Sequence, residues 1–519
     1  MNDLLTNRLG AATRLFSCAL AAMSMLCMTT AQAEVPGITG TTFNLTASAD
    51  YISQPDGSMI YSWGYGCTSA PFGFLPALGG PAANCPLMQL PGPTLIVREG
   101  DVVTVTLTNS LPPAAGNTSI VFPGFNVTAN PVVTTPAGPK AGLLTTEASN
   151  GGGTERDGTV TYTFTAGKPG TYAYYSGTQP ELQIEMGLFG AIVVMPNTVP
   201  TKPGTTSACQ TGPYALAASA YDHPETCYDR EYLFQFSEID SRIHDQALVQ
   251  VMACPTATPN NPCPQISVTM EPYRPNYYLI NGRSMPDVMD TSYSANYLHQ
   301  PYNGNPHMHP GENLLMRVIG QGRNQHPFHF HGNHARVLAR DGNLMVAASD
   351  PTKLAGPLLF TIPTVSGQTV DAIFNWTGKG LNWDVYNHKA GDGSDCIPDA
   401  NGYYTTASGA PSNAPNYGEW CADHYKLIPV TPPDPQIMAN GQWYAGTPYL
   451  GIQTSQSGFN STPLPPGTLN FNSPTAEAGY AYMWHSHNER EITTNDVFPG
   501  GMMMMLLIDP NSWTIDETQ

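Results

Sequence analysis

An all-β protein of sandwich domains in tandem is what this sequence predicts, on three observations. Only 11% of the residues are charged, while the chain holds 50 glycines and 49 prolines. Such turn-rich composition favours short strands over helices. Runs rich in Val, Thr and Tyr recur between the Gly/Pro clusters, and 519 residues suit two to four domains.

The chain opens on what reads as a secretory signal over residues 1–33. Arg8 and Arg14 flank the start of an apolar run, Leu15 to Met28, and Ala31-Gln32-Ala33 offers a small-residue cleavage site. That run is short for a bilayer span, no later segment does better, and Cys27 after Met25-Leu26 matches a lipidation site poorly. The expectation is a soluble exported protein, periplasmic or extracellular, with no membrane span. Loss of the signal removes two of 20 basic and one of 39 acidic residues, giving a net charge of −20 against −19 for the whole chain. A surface so acidic repels nucleic acid and attracts cations, so nucleic acid is excluded as a partner.

Eight cysteines remain, falling into near neighbours: Cys67/Cys85, Cys209/Cys227, Cys254/Cys263 and Cys396/Cys421. An even number in an exported chain predicts disulfides, with sequential pairing the simplest of many connectivities.

The first domain, 34–196, opens with the strand Thr42–Ala47. Residues Pro91 to Asn109 give two alternating strands around Glu99-Gly100-Asp101. Ser119–Phe125, Gly170–Gly177 and Gly187–Pro196 follow as strands. A Pro/Thr/Gly linker covers 197–212. The second domain, 213–519, has strands at Glu231–Phe236, Tyr277–Arg283, Glu312–Gly320, the histidine run from His326, Leu358–Pro363 and Val370–Trp376. Residues 387–475 are polar and loop-like, an insertion before the strands Gly479–Trp484 and Met502–Ile508. A third domain stays open, because 213–519 exceeds one ordinary sandwich.

Two motifs carry the chemistry. His329 and His331 are two apart, as are His485 and His487. On a strand, residues i and i+2 share a face, so two such strands side by side bring four neutral imidazoles to one point. Nitrogen donors favour copper by the Irving–Williams order, with zinc the competitor. His307 and His309 form a third pair, read as a solvated loop or an extra ligand site, and His334 is read as structural. Met502 to Met505 are soft ligands by type, but alternate residues face opposite ways and core packing suits them better. Glu489 and Glu491 stand ready as proton acceptors or ligand-orienting groups, or as a solvated acidic loop. Tyr480, Tyr482 and Trp484 are read as relay or core residues. Asp392, Asp395 and Asp399 form an oxygen-rich cluster in a Gly-containing stretch that could hold calcium, without the spacing of an EF-hand.

His326-Pro327-Phe328-His329-Phe330-His331-Gly332 resembles the His-Pro-x-His-x-His-Gly motif of the multicopper oxidase family, and Pro91–Asn109 and Gly170–Met195 resemble that family's domain-opening and domain-closing segments. The resemblance implies cupredoxin-like Greek-key sandwiches, copper, and His326 as a further metal ligand. It also exposes departures. In the family the first domain supplies two His-x-His pairs to a trinuclear copper cluster. Here Val121 and Pro123 stand at one pair and Tyr175 and Gly177 at the other, removing half of that cluster's ligands. Ser486 replaces the cysteine of the type 1 copper site, and Glu491 its second histidine. A hydroxyl is no substitute for a thiolate, so no type 1 copper is expected. The resemblance implies a divergent oxidoreductase taking electrons from a small-molecule or metal-ion donor at a mononuclear or dinuclear site, and it leaves a homo-oligomer open. The rival reading is a non-catalytic scaffold or copper-binding protein that has lost oxidase activity.

Overall fold

The computed structural model describes residues 35–511 except 76–84, 133–139, 151–157, 204–207, 210–217, 389–395, 427–434, 436–441, 443–445, 450–478 and the single positions 70, 72, 259, 385, 387, 413 and 415; it also describes residue 515. The expected signal, Asp392 and Asp395, and most of the expected insertion lie outside the described residues.

The first sandwich pairs two five-stranded sheets. One runs Gly170–Tyr175, Phe189–Met195, Leu95–Arg98, Gly37–Thr39, Phe74–Leu75. The other runs Met59–Cys67, Thr42–Ser53, Val102–Asn109, Thr159–Thr165, Thr128–Val132. Strict alternation dictates the core: Val103, Val105 and Leu107 point inward, and Thr104, Thr106 and Thr108 are half-buried. Val160, Tyr162 and Phe164 repeat the pattern on the neighbouring strand. Trp63 and Tyr65 join them in the core.

The second sandwich has a seven-stranded and a six-stranded sheet. The seven-stranded sheet centres on Arg230–Ile239, Asn313–Gly320 and Thr369–Asn375. The six-stranded sheet runs His307–Met308, Met503–Ile508, Gly479–Ser486, His326–Phe330, Thr361–Thr364, with Gly446–Tyr449 also on Gly479–Ser486. Phe234, Phe236, Phe328, Phe330, Tyr482 and Trp484 fill the space between the sheets. The protein is therefore all-β with sandwiches in tandem, as the sequence predicts.

Three elements differ from expectation. Ser119–Phe125 is not a strand; a single bridge joins Val121 to Tyr175, because 3-10 and turn residues on either side break the ladder. Leu358–Pro363 splits into Leu358–Leu359 and Thr361–Thr364, which pair in different sheets and leave Phe360 exposed between them. Ser241–Ala253 is an α-helix, capped by Asp240 accepting from the Arg242 N–H and docked on the first sandwich through Ile243 and Ala247. The four disulfides are the sequential ones, Cys67–Cys85, Cys209–Cys227, Cys254–Cys263 and Cys396–Cys421. Among the described residues no helix is long and apolar enough to cross a membrane.

The sandwiches meet over an interface with a charged centre. Arg317, wholly buried, pairs with Glu231, donates to Thr171 Oγ1 at 3.0 Å and lies 3.8 Å from Asp371. Asp371 in turn accepts from Thr171 and Tyr221, each at 2.6 Å.

Candidate metal centre

Two antiparallel strands position the histidines. In their ladder His329 stands opposite His485, Phe330 opposite Trp484 and Phe328 opposite Ser486. The alternation sorts side chains between two faces. Phe328, Phe330 and Trp484 turn into the core, while His329, His331, His485 and His487 gather on the outer face.

The four rings are close. Centroids of His329 lie 5.0 Å from His331, 5.5 Å from His485 and 4.8 Å from His487. His331 and His485 are 5.2 Å apart, His485 and His487 5.6 Å. His329, His331 and His485 are buried and offer ligand atoms within 4.8 Å of one another. His487 is exposed, its ring 3.7 Å from Glu489 at the solvent edge. Two imidazole nitrogens sharing one ion at about 2.0–2.1 Å each sit roughly 3 Å apart. The Nε2 atoms of His331 and His485 are 3.3 Å apart, so the residues fit a metal.

Neighbours orient the rings. His485 Nδ1 donates to the Ser486 carbonyl at 2.7 Å, and His329 Nδ1 lies 2.8 Å from the Thr361 hydroxyl. Holding one nitrogen in this way aims the other, the usual arrangement around a metal. Burial and the neighbouring imidazoles push the His329 pKa down to about 4, and burial lowers that of His485 as well. Both rings are neutral at ordinary pH, the form that ligates. Phe360, 53% exposed, stands edge-on to His329 and to His334 at the rim.

His326 does not join this cluster. It lies on the inward-facing side of its strand, with Nδ1 2.9 Å from Glu491 and Nε2 2.8 Å from Glu238. Burial alone would lower its pKa, but the two carboxylates raise it to about 9. An imidazolium donating from both nitrogens has no lone pair for a metal. Ser486 donates to the same Glu491 oxygen, so a hydrogen-bonded Ser–Glu–His–Glu chain occupies the position where the resemblance places type 1 copper. Glu238, further held by the Arg323 and Asn324 N–H groups, was not legible as a partner, because it lies 88 residues from His326.

The remaining candidates scatter. His307 pairs with Asp509 at 2.6 Å, and His309 with Glu312 at 3.1 Å. Met502 and Met504 pack in the core, while Met503 stands opposite His485 in the ladder. Tyr480, Tyr482 and Trp484 are core residues too. Asp399 accepts the Asn401 and Tyr403 N–H groups and caps its own turn. In the first sandwich, Val121 and Tyr175 bind one another through their backbones, and a side chain at Gly177 would strike Val121.

A model of the multicopper oxidase family, whose members hold copper, matches residues 88–198, within the first sandwich. No curated protein matches the sequence. Among solved structures, a multicopper oxidase designated mgLAC overlaps 92% of this chain and 87% of its own, at 14% identity and a TM-score of 0.44. A blue copper oxidase from Nitrosomonas europaea overlaps 91% of this chain and 86% of its own, at 15% identity and a TM-score of 0.44. A copper nitrite reductase from the same organism overlaps 65% of this chain and 85% of its own, at 18% and 0.37. Overlaps this loose carry no argument about function.

Proposed function

We propose that this protein is an exported, copper-binding oxidoreductase of multicopper oxidase descent, with one or two copper ions held by His329, His331 and His485 and His487 at the open side. The observation that carries the reading is the convergence of three buried imidazoles on two paired strands. Copper bound there would supply one-electron redox chemistry. The chain's own residues would do the rest: Thr361 and the Ser486 carbonyl fix the ring orientations, and the exposed side at His487 admits a small-molecule or metal-ion donor. Electrons would enter directly at this centre, since the Ser486–Glu491–His326–Glu238 chain fills the place of the usual relay. Four disulfides support export to an oxidising compartment, after removal of residues 1–33. The domain division that goes with this reading is 34–196 and 213–519, joined by 197–212.

A second reading has its own support. Replacement of both first-domain pairs by Val121, Pro123, Tyr175 and Gly177 favours a copper-binding protein without turnover. Copper analysis of protein matured in its own compartment, with His329→Ala and His485→Ala beside it, tests both. We expect stoichiometric copper in the parent and at least a tenfold loss in each variant. Turnover of a phenol or metal-ion donor selects the enzyme, and copper without turnover selects the binder. Equal copper in parent and variants refutes the site.

A further inference from the structure

A buried carboxyl of the first sandwich meets one of the second across a single hydroxyl. Glu185 follows the helical turn Pro180–Gln183 and is buried. Its Oε1 accepts the Asp240 N–H at 2.8 Å, and its Oε2 lies 2.8 Å from the Tyr273 hydroxyl. The same hydroxyl lies 3.2 Å from Oε1 of Glu238, on the strand Arg230–Ile239 of the second sandwich.

Counting protons decides the state of this trio. Glu238 Oε1 also accepts the Arg323 and Asn324 N–H groups at 2.7 and 2.8 Å, and Oε2 faces the His326 imidazolium at 2.8 Å. All of these neighbours are donors, so Glu238 is an acceptor throughout, and the Tyr273 O–H belongs to it. A phenol has one hydrogen to give. The Tyr273 oxygen is left with lone pairs toward Glu185, and an ionised Glu185 would set two bare oxygens against each other away from water. A hydrogen on Glu185 Oε2 closes the chain instead. Oε1 is already taken by the Asp240 N–H.

The remaining charges around Glu185 are engaged elsewhere. Arg323 lies over the Tyr273 ring, 4.3 Å from its centroid, and pairs with Glu271 at 3.2 Å. The Asp240 carboxylate is held by Arg242 and by the Arg274 N–H. His244, on the helix Ser241–Ala253, has Nδ1 2.6 Å from the Tyr61 carbonyl and Nε2 3.1 Å from the Glu185 carbonyl and 3.9 Å from Oε1. Burial lowers the pKa of this ring, so it brings no positive charge to the carboxyl. Burial, with Glu238 beside it, pushes Glu185 up to about 8.

We infer that Glu185 keeps its proton in the folded protein at neutral pH, and that this carboxylic acid is a pH-sensitive latch between the two sandwiches. Glu185 donates to Tyr273, Tyr273 to Glu238, and Glu238 receives His326 from the strand that carries His329. In alkali the latch loses its proton, two carboxylates compete for one hydroxyl, and the joint is weakened by their repulsion. The sign follows from linkage. An acid raised above its ordinary 4.5 adds stability that is complete below pH 4.5 and is lost as pH climbs through 8. Copper plays no part in this device.

The test uses the full chain and two readouts. In infrared spectra, we expect the stretch of a protonated carboxyl in the parent at pH 7, gone by pH 9.5 and missing from Glu185→Gln at pH 7. In urea unfolding between pH 5 and 7.5, one retained proton makes the unfolding constant of the parent rise about tenfold per pH unit more steeply than that of Glu185→Gln. Glutamine keeps the shape and donates to Tyr273 from its amide. Absence of the band from the parent at pH 7, or parallel pH profiles for the two proteins, overturns the latch; either is the behaviour of an ionised Glu185 paired with a charged His244. Where Glu185→Gln fails to fold, the band in the parent and its loss by pH 9.5 decide alone.

Discussion

Both ring nitrogens of His326 meet carboxylates, and the ring holds its proton to about pH 9, well above the ordinary value of 6.5. A folded-state pKa raised this way adds stability that is complete below pH 6.5 and is lost as pH climbs through 9. The gain is on the order of 3 kcal/mol. His326→Gln should therefore be less stable than the parent at pH 6, with the gap closing toward pH 9.5 in urea melts; a gap that stays constant with pH would refute the imidazolium. Ser486 gives a second residue-level expectation. Ser486→Cys supplies the missing thiol, yet His326 stays tied to Glu238 and Glu491. Added copper(II) should give no intense blue absorption in that variant, and its appearance would show that the buried chain yields to metal.

The histidine strands were readable from sequence because a period of two is a property of any extended chain. Residues 329, 331, 485 and 487 had to share faces once the strands existed. Pairing of the two strands, some 150 positions apart, was an assumption that the ladder of His329 with His485 now bears out. The helix Ser241–Ala253 was not foreseen. Its signal was present, Asp240 as cap and Ile243 and Ala247 at helical spacing, but composition weighed against helices. Asp240→Ala should cost about 1–2 kcal/mol by chemical denaturation and speed amide exchange over 241–253. The Arg274 N–H also binds this carboxylate at 2.8 Å, which places the loss at the upper end of that range. Ser119–Phe125 was misread the other way: apolar residues suggested a strand, while the surrounding turns leave Val121 with one bridge.

At the level of the whole chain, the junction of the two sandwiches hangs on Arg317. Its guanidinium, Glu231 and Asp371 are all buried, and removing one member strands the others without counter-charge. Breaking such a cluster costs about 3–5 kcal/mol. Arg317→Ala should lower the thermal midpoint by several degrees, while copper bound per folded chain stays at the parent level, since the histidine strands lie in the other sheet of their sandwich. Loss of copper in folded Arg317→Ala would tie the centre to the interface.

Composition and alternation were enough for an all-β chain, its disulfide partners, and four histidines on shared strand faces, because each follows from local geometry or from neighbours in sequence. Nothing local told His326 from His329, three residues away. One turns inward onto Glu238 and Glu491, the other outward onto three imidazoles, and that choice belongs to the packing of two sheets.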